Sequence, residues 1–367
     1  MRIDIATLFT QMCDSVLNES IVGRGIRNGF IEVYTHDIRK YTENKHRRVD
    51  DKPYGGGTGM LMQAQPVYDC ISAIKSQGEG KPRIIYMSPQ GEVLTQQKVQ
   101  ELAQEPWLIL LCGHYEGIDQ RVLDELEAEE LSVGNYVLTG GELPALIVAD
   151  AVARLQPGVL PNEDAYSIES HYNGLLEFPQ YTRPEEWHGR MVPEVLLTGD
   201  HRTVTEWQNR EALRVTARKR LDMYGKFIAE QHERLWSAFL EDKDIPPETR
   251  CSGVVGFGKT ADEADRLAKL VMRGKKRADL SVQSGELPRR GEYLIVTDGA
   301  GLGKCVVQVF NVKTVPFSGV TEEMCGFTAE CSSPDEWRAV QEADISAETP
   351  VAFWQFRLVY KYHKEER

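Results

Sequence analysis

The chain has 367 residues, 41% hydrophobic and 27% charged, with a formal net charge of −13. That length exceeds what one hydrophobic core supports and predicts two or three domains. The excess of acid excludes coating of nucleic acid by bulk electrostatics, and the absence of any apolar run of about 18 residues excludes a membrane span.

The N-terminus carries Asp4 and lacks the apolar core and cleavage site of a signal peptide, so a cytoplasmic location is expected. Seven cysteines without a CxxC pair, and eight histidines without HxH or HxxxH spacing, predict reduced thiols and no metal site. RNA contact is left to local basic patches: His46 to Arg48, Arg214 with Arg218 to Arg220, and Arg273 with Lys275 to Arg277.

In chain order, apolar runs at Ile3 to Leu8, Phe30 to Val33, Arg83 to Met87, Trp107 to Cys112 and Tyr136 to Leu138 alternate with amphipathic stretches, which predicts an α/β domain with a mainly parallel sheet. A helix follows from Leu143 to Leu155, ended by the Pro157 and Pro161 region, and a loop then runs to about Pro184. Helical patterning returns from Trp187 to Leu240. The charged, proline-bearing stretch from Glu241 to Arg250 reads as a linker. Beyond it, Thr260 with Glu263 is a capping-box signature opening a helix whose apolar face is Ala264, Leu267, Ala268 and Val271. Strand-like runs at Tyr293 to Thr297, Cys305 to Val309 and Val351 to Tyr360, with a turn at Asp298 to Gly303, predict a small helix-plus-barrel domain. The expected division is 1–160, a linker 161–185, a helical domain 186–240, a linker 241–252 and a last domain 253–367.

Three glycine-bearing loops follow apolar runs in the first domain: Ser88 to Gly91, Gly113 to Gly117 and Leu138 to Pro144. In an open α/β sheet, ligands lie beyond the carboxyl ends of the strands, and glycine allows close backbone approach. The loops are either one pocket or ordinary turns; none fits the GxGxxG dinucleotide fingerprint. A fourth loop, Pro53 to Met60, is dense in glycine and suits a phosphate or a flipped base, or is a mobile surface loop.

The wording of these loops resembles the bacterial tRNA (guanine-N1)-methyltransferases of the SPOUT superfamily. The matching segments are Val49 to Gly57, Tyr86 to Gly91, Cys112 to Asp119, Ser132 to Pro144, Gly174 to Leu176 and Tyr181 to Pro184, in order across residues 1–240. The resemblance implies a trefoil-knotted parallel sheet followed by a small helical tRNA-binding domain, acting as a homodimer on N1 of the guanine at position 37 of tRNA. It also implies that S-adenosylmethionine is held by Tyr86, Ser88, Pro89, Gly113, Tyr115, Glu116, Gly117, Ser132, Val133, Gly134, Tyr136, Leu138, Gly140, Gly141 and Pro144. RNA contacts are expected from Asp50, Gly55, Gly57, Gly59, Arg183, Arg214 and Lys276.

A sulfonium methyl is already activated, so the chemistry needs a base for the N1 proton and no protein nucleophile. The family's aspartate base corresponds to Glu169, a departure that keeps the acid and adds a methylene; Arg154 matches the family's arginine that stabilises charge at guanine O6. Thr58 and Asn135 are further departures, where proline and aspartate are common.

Gly253 to Thr260 matches the phosphate-loop pattern GxxxxGK[ST], but no apolar strand precedes it and too little chain remains for a parallel sheet, so an NTPase is disfavoured. Residues 254–360 are better matched to the ASCH family, whose barrel is related to RNA-binding PUA domains, through Leu267 to Ala278, Leu287 to Tyr293 and Val320 to Glu323. Some members hydrolyse acylated cytidine with a lysine, a threonine and a glutamate; Lys276 and Glu330 correspond, but Asp279 stands at the threonine position. The reading is therefore an S-adenosylmethionine-dependent tRNA methyltransferase with an RNA-binding appendage. An RNA-binding protein without catalysis, and a bifunctional enzyme with an acylcytidine amidohydrolase domain, are the alternatives.

Overall fold

The computed structural model describes residues 1–162, 164–282, 287–341 and 345–362. Its contacts divide the chain into two units, Met1–Asn173 and Gly174–Arg367.

The first unit contains β1 (Arg2–Thr7), α1 (Thr10–Leu17), α2 (Ser20–Arg27), β2 (Glu32–Asp37), the short strands β3 (Asp50–Asp51) and β4 (Leu61–Met62), α3 (Ala64–Lys75), β5 (Arg83–Val93), α4 (Gln96–Leu102), β6 (Trp107–Cys112), α5 (Gln120–Glu125), β7 (Glu129–Ser132), α6 (Glu142–Ala153) and α7 (Asp164–Ser167). Five strands form an all-parallel sheet in the order β2-β1-β6-β5-β7. Helices cover both faces, which is why β6 reads as an unbroken apolar run: Leu108, Leu110 and Cys112 face α1, α2, α4 and α6, while Trp107, Ile109 and Leu111 face α3 and α5.

Strand β5 meets β7 on both sides of an excursion, since Met87 and Glu92 both stand opposite Leu131. Gly91 lies there because a Cβ would come within 2.3 Å of the Glu130 carbonyl carbon, and Leu94 N donates to Ser132 O at 2.7 Å. The chain that leaves β7 returns to β6, where Gly141 N donates to Gly113 O at 2.9 Å. This wrapped crossing is where the resemblance implies the knot.

One expected strand is corrected. Tyr136 to Leu138 is an exposed loop, and the edge strand is instead β7, whose Glu-Glu-Leu-Ser sequence carries little apolar signal. The run at Phe30 to Val33 marks only the entry to β2.

The second unit opens with a hairpin, β8 (Glu186–Trp187) and β9 (Arg190–Met191), followed by α8 (His201–Lys219), α9 (Leu221–Asp242), β10 (Gly253–Gly256), α10 (Ala261–Met272), β11 (Ala278–Val282), β12 (Tyr293–Thr297), β13 (Gly303–Pro316), α11 (Glu322–Thr328), α12 (Pro334–Ala339) and β14 (Pro350–Lys361). The helix expected from Trp187 thus starts only at His201, after Pro193 and the positive-φ Gly199; Asp200 caps it by accepting from Arg202 N at 3.1 Å. The last sheet runs β10-β12-β13-β14-β11 as a curled half-barrel with two free edges. Leu235 and Phe239 of α9 pack against Ile295 and Val306 of this sheet, and Trp236 Nε1 donates to Thr249 O at 3.2 Å, so helix, connecting segment and sheet share one core.

Thr260 and Glu263 form the expected capping box on α10. That settles the phosphate-loop question. Gly253–Gly256 is strand, and the Glu263 carboxylate accepts from Lys259 N at 2.7 Å and Thr260 N at 3.2 Å, occupying the amides a phosphate would need.

Candidate active site

The three glycine-bearing segments of the first unit converge on one cavity of about 200 Å³, at the mid-strand excursion of β5 and beyond the carboxyl ends of β6 and β7; Ser88 to Gly91, expected as a loop, is part of strand β5. Of the residues expected to hold a cofactor, Tyr86, Ser88, Pro89, Gly113, Tyr115, Glu116, Gly117, Ser132, Val133, Tyr136, Leu138, Gly140, Gly141 and Pro144 line it. Gly134 does not; its φ of +155° and the Tyr136 ring, 2.4 Å from a Cβ placed there, give it a shaping role. Met87, His114, Leu131, Val137 and Thr139 also line the cavity. Met87, His114, Val137 and Thr139 lie inside the same quoted motifs and Leu131 immediately precedes one, so their signal was adjacency to the chosen positions.

The walls are close-set backbone. A Cβ on Gly113 would fall 2.8 Å from the Tyr86 ring, and one on Gly141 would fall 2.7 Å from the Cys112 Cα. Ser88 Oγ donates to Glu130 Oε2 at 2.5 Å, and Ser132 Oγ donates to Gly134 O at 2.9 Å, pinning two walls. Burial, reinforced by the nearby Glu130 charge, raises the Tyr86 phenol above its ordinary pKa and keeps it neutral. His114 Nδ1 is buried without a hydrogen-bond partner among the described residues.

Arg154, the C-cap of α6, holds Glu169 in a two-pronged pair, with Nη1 to Oε2 at 2.7 Å and Nη2 to Oε1 at 2.9 Å. About a third of each side chain remains exposed (35% and 33%), so the pair can meet a solute. The hydrogen bond that Arg154 donates to Glu169 raises the Arg154 pKa, burial opposing it.

The residues expected to touch RNA fall in both units of the chain. Gly55, Gly56 and Gly57 have positive φ in an open loop beside Tyr54, which is 98% exposed. The loop is anchored at its end, where Glu116 N donates to Met60 O at 3.0 Å and the Glu116 side chain occupies the space of a Cβ on Gly59. Asp50 pairs with Met62 in the β3–β4 ladder. Arg183 is exposed, and Arg214 lies on α8, 3.3 Å from Glu211.

Lys276 is a correction. It is 1% exposed, donates to Ala278 O at 2.9 Å and Asp279 Oδ1 at 3.3 Å, pairs with Glu330, and lies 4.3 Å from the Phe257 ring centroid. Three acceptors use its three N–H groups, so it is a buried clamp on two carboxylates and not a surface grip for phosphate.

A parallel sheet covered on both faces, a backbone-walled cavity at its strand ends and an accessible arginine–carboxylate pair define an α/β enzyme core, here followed by helices and a curled β domain. The chain belongs to the tRNA (Guanine-1)-methyltransferase TrmD family, which it matches over residues 1–226, and residues 253–360 match the ASCH domain. The core is therefore of the SPOUT type. Among similar proteins are the tRNA (guanine-N(1)-)-methyltransferases of Ruminiclostridium cellulolyticum, 53% identical over 62% of this chain and 97% of that protein, and of Clostridioides difficile, 47% identical over 62% and 98%. That of Anoxybacillus flavithermus is 46% identical over 64% of this chain and 96% of its own.

Proposed function

We propose that the protein transfers a methyl group from S-adenosylmethionine to N1 of the guanine at position 37 of tRNA, in the cytoplasm and as a homodimer. The observation that carries this reading is the convergence of the family's loops on one backbone-walled cavity, with the Arg154–Glu169 pair on the same unit. The cavity fits the donor, because its glycines leave main-chain polar groups open to an adenine, a ribose and a methionyl tail, and Gly113, Gly140 and Gly141 are too close to their neighbours to carry a side chain. Bound there, the donor supplies an already activated methyl group.

The protein's own residues then handle position and proton. Glu169 accepts the N1 proton of guanine as the new bond forms, and Arg154, held beside it, is placed to balance charge growing at O6. The pair and the cavity lie at opposite ends of α6, a helix about 18 Å long for twelve residues at 1.5 Å each. A second copy supplies what one subunit lacks. Phe9, Met12 and Val16 around α1 and Leu143 and Ile147 on α6 are 43% or more exposed on neighbouring helices, an apolar patch suited to a two-fold contact.

Labelled donor with an unmodified tRNA transcript bearing guanine at position 37 is expected to give methylated tRNA, and the same transcript with adenine there none. Glu169→Gln is expected to lower kcat by about 10²- to 10⁴-fold while donor affinity holds. Binding of tRNA and donor without methyl transfer by the wild type would instead identify a binding protein. The amidohydrolase alternative is weaker, since position 279 offers no hydroxyl and Lys276 has no free N–H.

A further inference from the structure

Helix α10 and its C-cap carry Arg266, Lys269 and, at the cap, Arg273, at spacings of three and four, which places them on one side, opposite the buried Leu267, Ala268 and Val271. All three are exposed, and Lys275 and Arg277 continue the exposed cations past the helix end. Among the described residues, none of the five forms an ion pair within 4.0 Å, although the chain carries thirteen more acids than bases.

The reason lies in what the neighbouring acids do. At three- and four-residue spacing, Asp262 and Glu263 are the natural partners of Arg266, and Asp265 is that of Lys269. Glu263 instead closes the capping box onto Lys259 N and Thr260 N, and Asp265 Oδ1 accepts from Gly299 N at 2.8 Å. Glu263 and Asp265 are committed to backbone, Asp262 forms no ion pair within 4.0 Å among the described residues, and the cations beside them are left for an outside anion. Favourable interaction with the helix dipole accounts for Lys269, Arg273 and Lys275 at the C-terminal end, but not for Arg266 in mid-helix. Arg277 is held in place over the Phe327 ring, 5.2 Å from its centroid.

We propose that this face of α10, with Lys275 and Arg277, is a docking surface for the phosphate backbone of RNA; the choice of RNA over another polyanion rests on the tRNA reading above. It adds grip without reading sequence, since phosphate contacts position a nucleic acid and carry no base information. Lys276, at the centre of the basic run in the sequence, takes no part.

The test compares the full-length protein with its Arg266→Glu/Lys269→Glu/Arg273→Glu variant, titrating labelled unmodified tRNA at several salt concentrations, with the corresponding triple Gln variant as a milder step. The Glu variant is expected to bind tRNA about tenfold or more weakly, with the slope of log K against log salt shallower by roughly two, at 0.7 to 0.9 per lost phosphate contact. The Gln variant should fall between, and an unchanged far-ultraviolet circular dichroism spectrum and urea unfolding profile of the full-length protein check that both variants fold. Unaltered tRNA affinity and salt slope in the Glu variant would overturn the proposal. So would loss of binding to phosphatidylserine vesicles with tRNA binding intact, which would assign the face to a membrane. A protein that methylates nothing yet loses tRNA affinity on charge reversal would refute the proposed activity and retain this surface.

Discussion

Asp4 sits at 0% exposure in β1 and accepts from Arg2 Nε at 2.7 Å, Trp107 Nε1 at 2.7 Å and, on its other oxygen, Arg2 Nη2 at 3.0 Å, with His36 Nε2 at 2.7 Å. Burial pushes its carboxyl up, but the bonds from His36, Arg2 and Trp107 together outweigh burial and hold it below the usual carboxylate range. A depressed folded pKa means the unfolded state binds the proton more readily. This contribution to stability is therefore complete above the unfolded value of about 3.9 and is lost as pH falls through the folded value. Urea midpoints measured from pH 7 downward should fall across that acid range for the wild type. Asp4→Asn should be less stable at pH 7 and show a flatter acid limb; an equally steep limb in the variant would assign the acid sensitivity elsewhere. Lys276 belongs to the same scale. Its burial could not be read from the sequence, because the carboxylates that make it tolerable stand three and fifty-four residues away.

At the scale of elements, the cavity depends on loops that touch through backbone. Gly141 precedes α6 and donates to Gly113 O, and a Cβ there would press on Cys112 Cα, which belongs to a central strand and cannot step aside. Gly141→Ala is expected to cost about 1 to 3 kcal/mol by overpacking and to weaken S-adenosylmethionine binding, measurable by urea unfolding and calorimetry. Wild-type donor affinity in that variant would show that the cavity is not where the donor sits. Elements were legible wherever burial left a periodic mark. The central strands β1, β5 and β6 showed as apolar runs because helices cover both faces, and α10 showed through its capping box and apolar stripe. β7 was hidden because an edge strand of Glu-Glu-Leu-Ser needs no such run, and Tyr136 to Leu138 passed for a strand because its apolar side chains turn toward a ligand cavity and solvent. The cavity residues themselves were legible only through the order and wording of the loops, since spacing alone left them as ordinary turns.

For the whole molecule, the position of the Arg154–Glu169 pair at the far end of α6 from the cavity makes a demand on assembly. If the base acts beside a partner's cavity, two individually inactive subunits should restore activity together. Glu169→Gln removes the base and leaves the cavity. Gly113→Val blocks the cavity, since its Cβ alone would reach within 2.8 Å of the Tyr86 ring, and leaves the base. In a mixed dimer, one of the two composite sites joins an intact cavity from the first subunit to an intact Glu169 from the second. Random pairing in a two-fold dimer makes half the dimers mixed with one working site each, so about a quarter of wild-type activity is expected. Sedimentation should confirm that each variant still pairs. Were base and cavity to act within one subunit, every site in the mixture would carry a defect and activity would stay at the level of the separate variants, which would place the reacting guanine within a single chain.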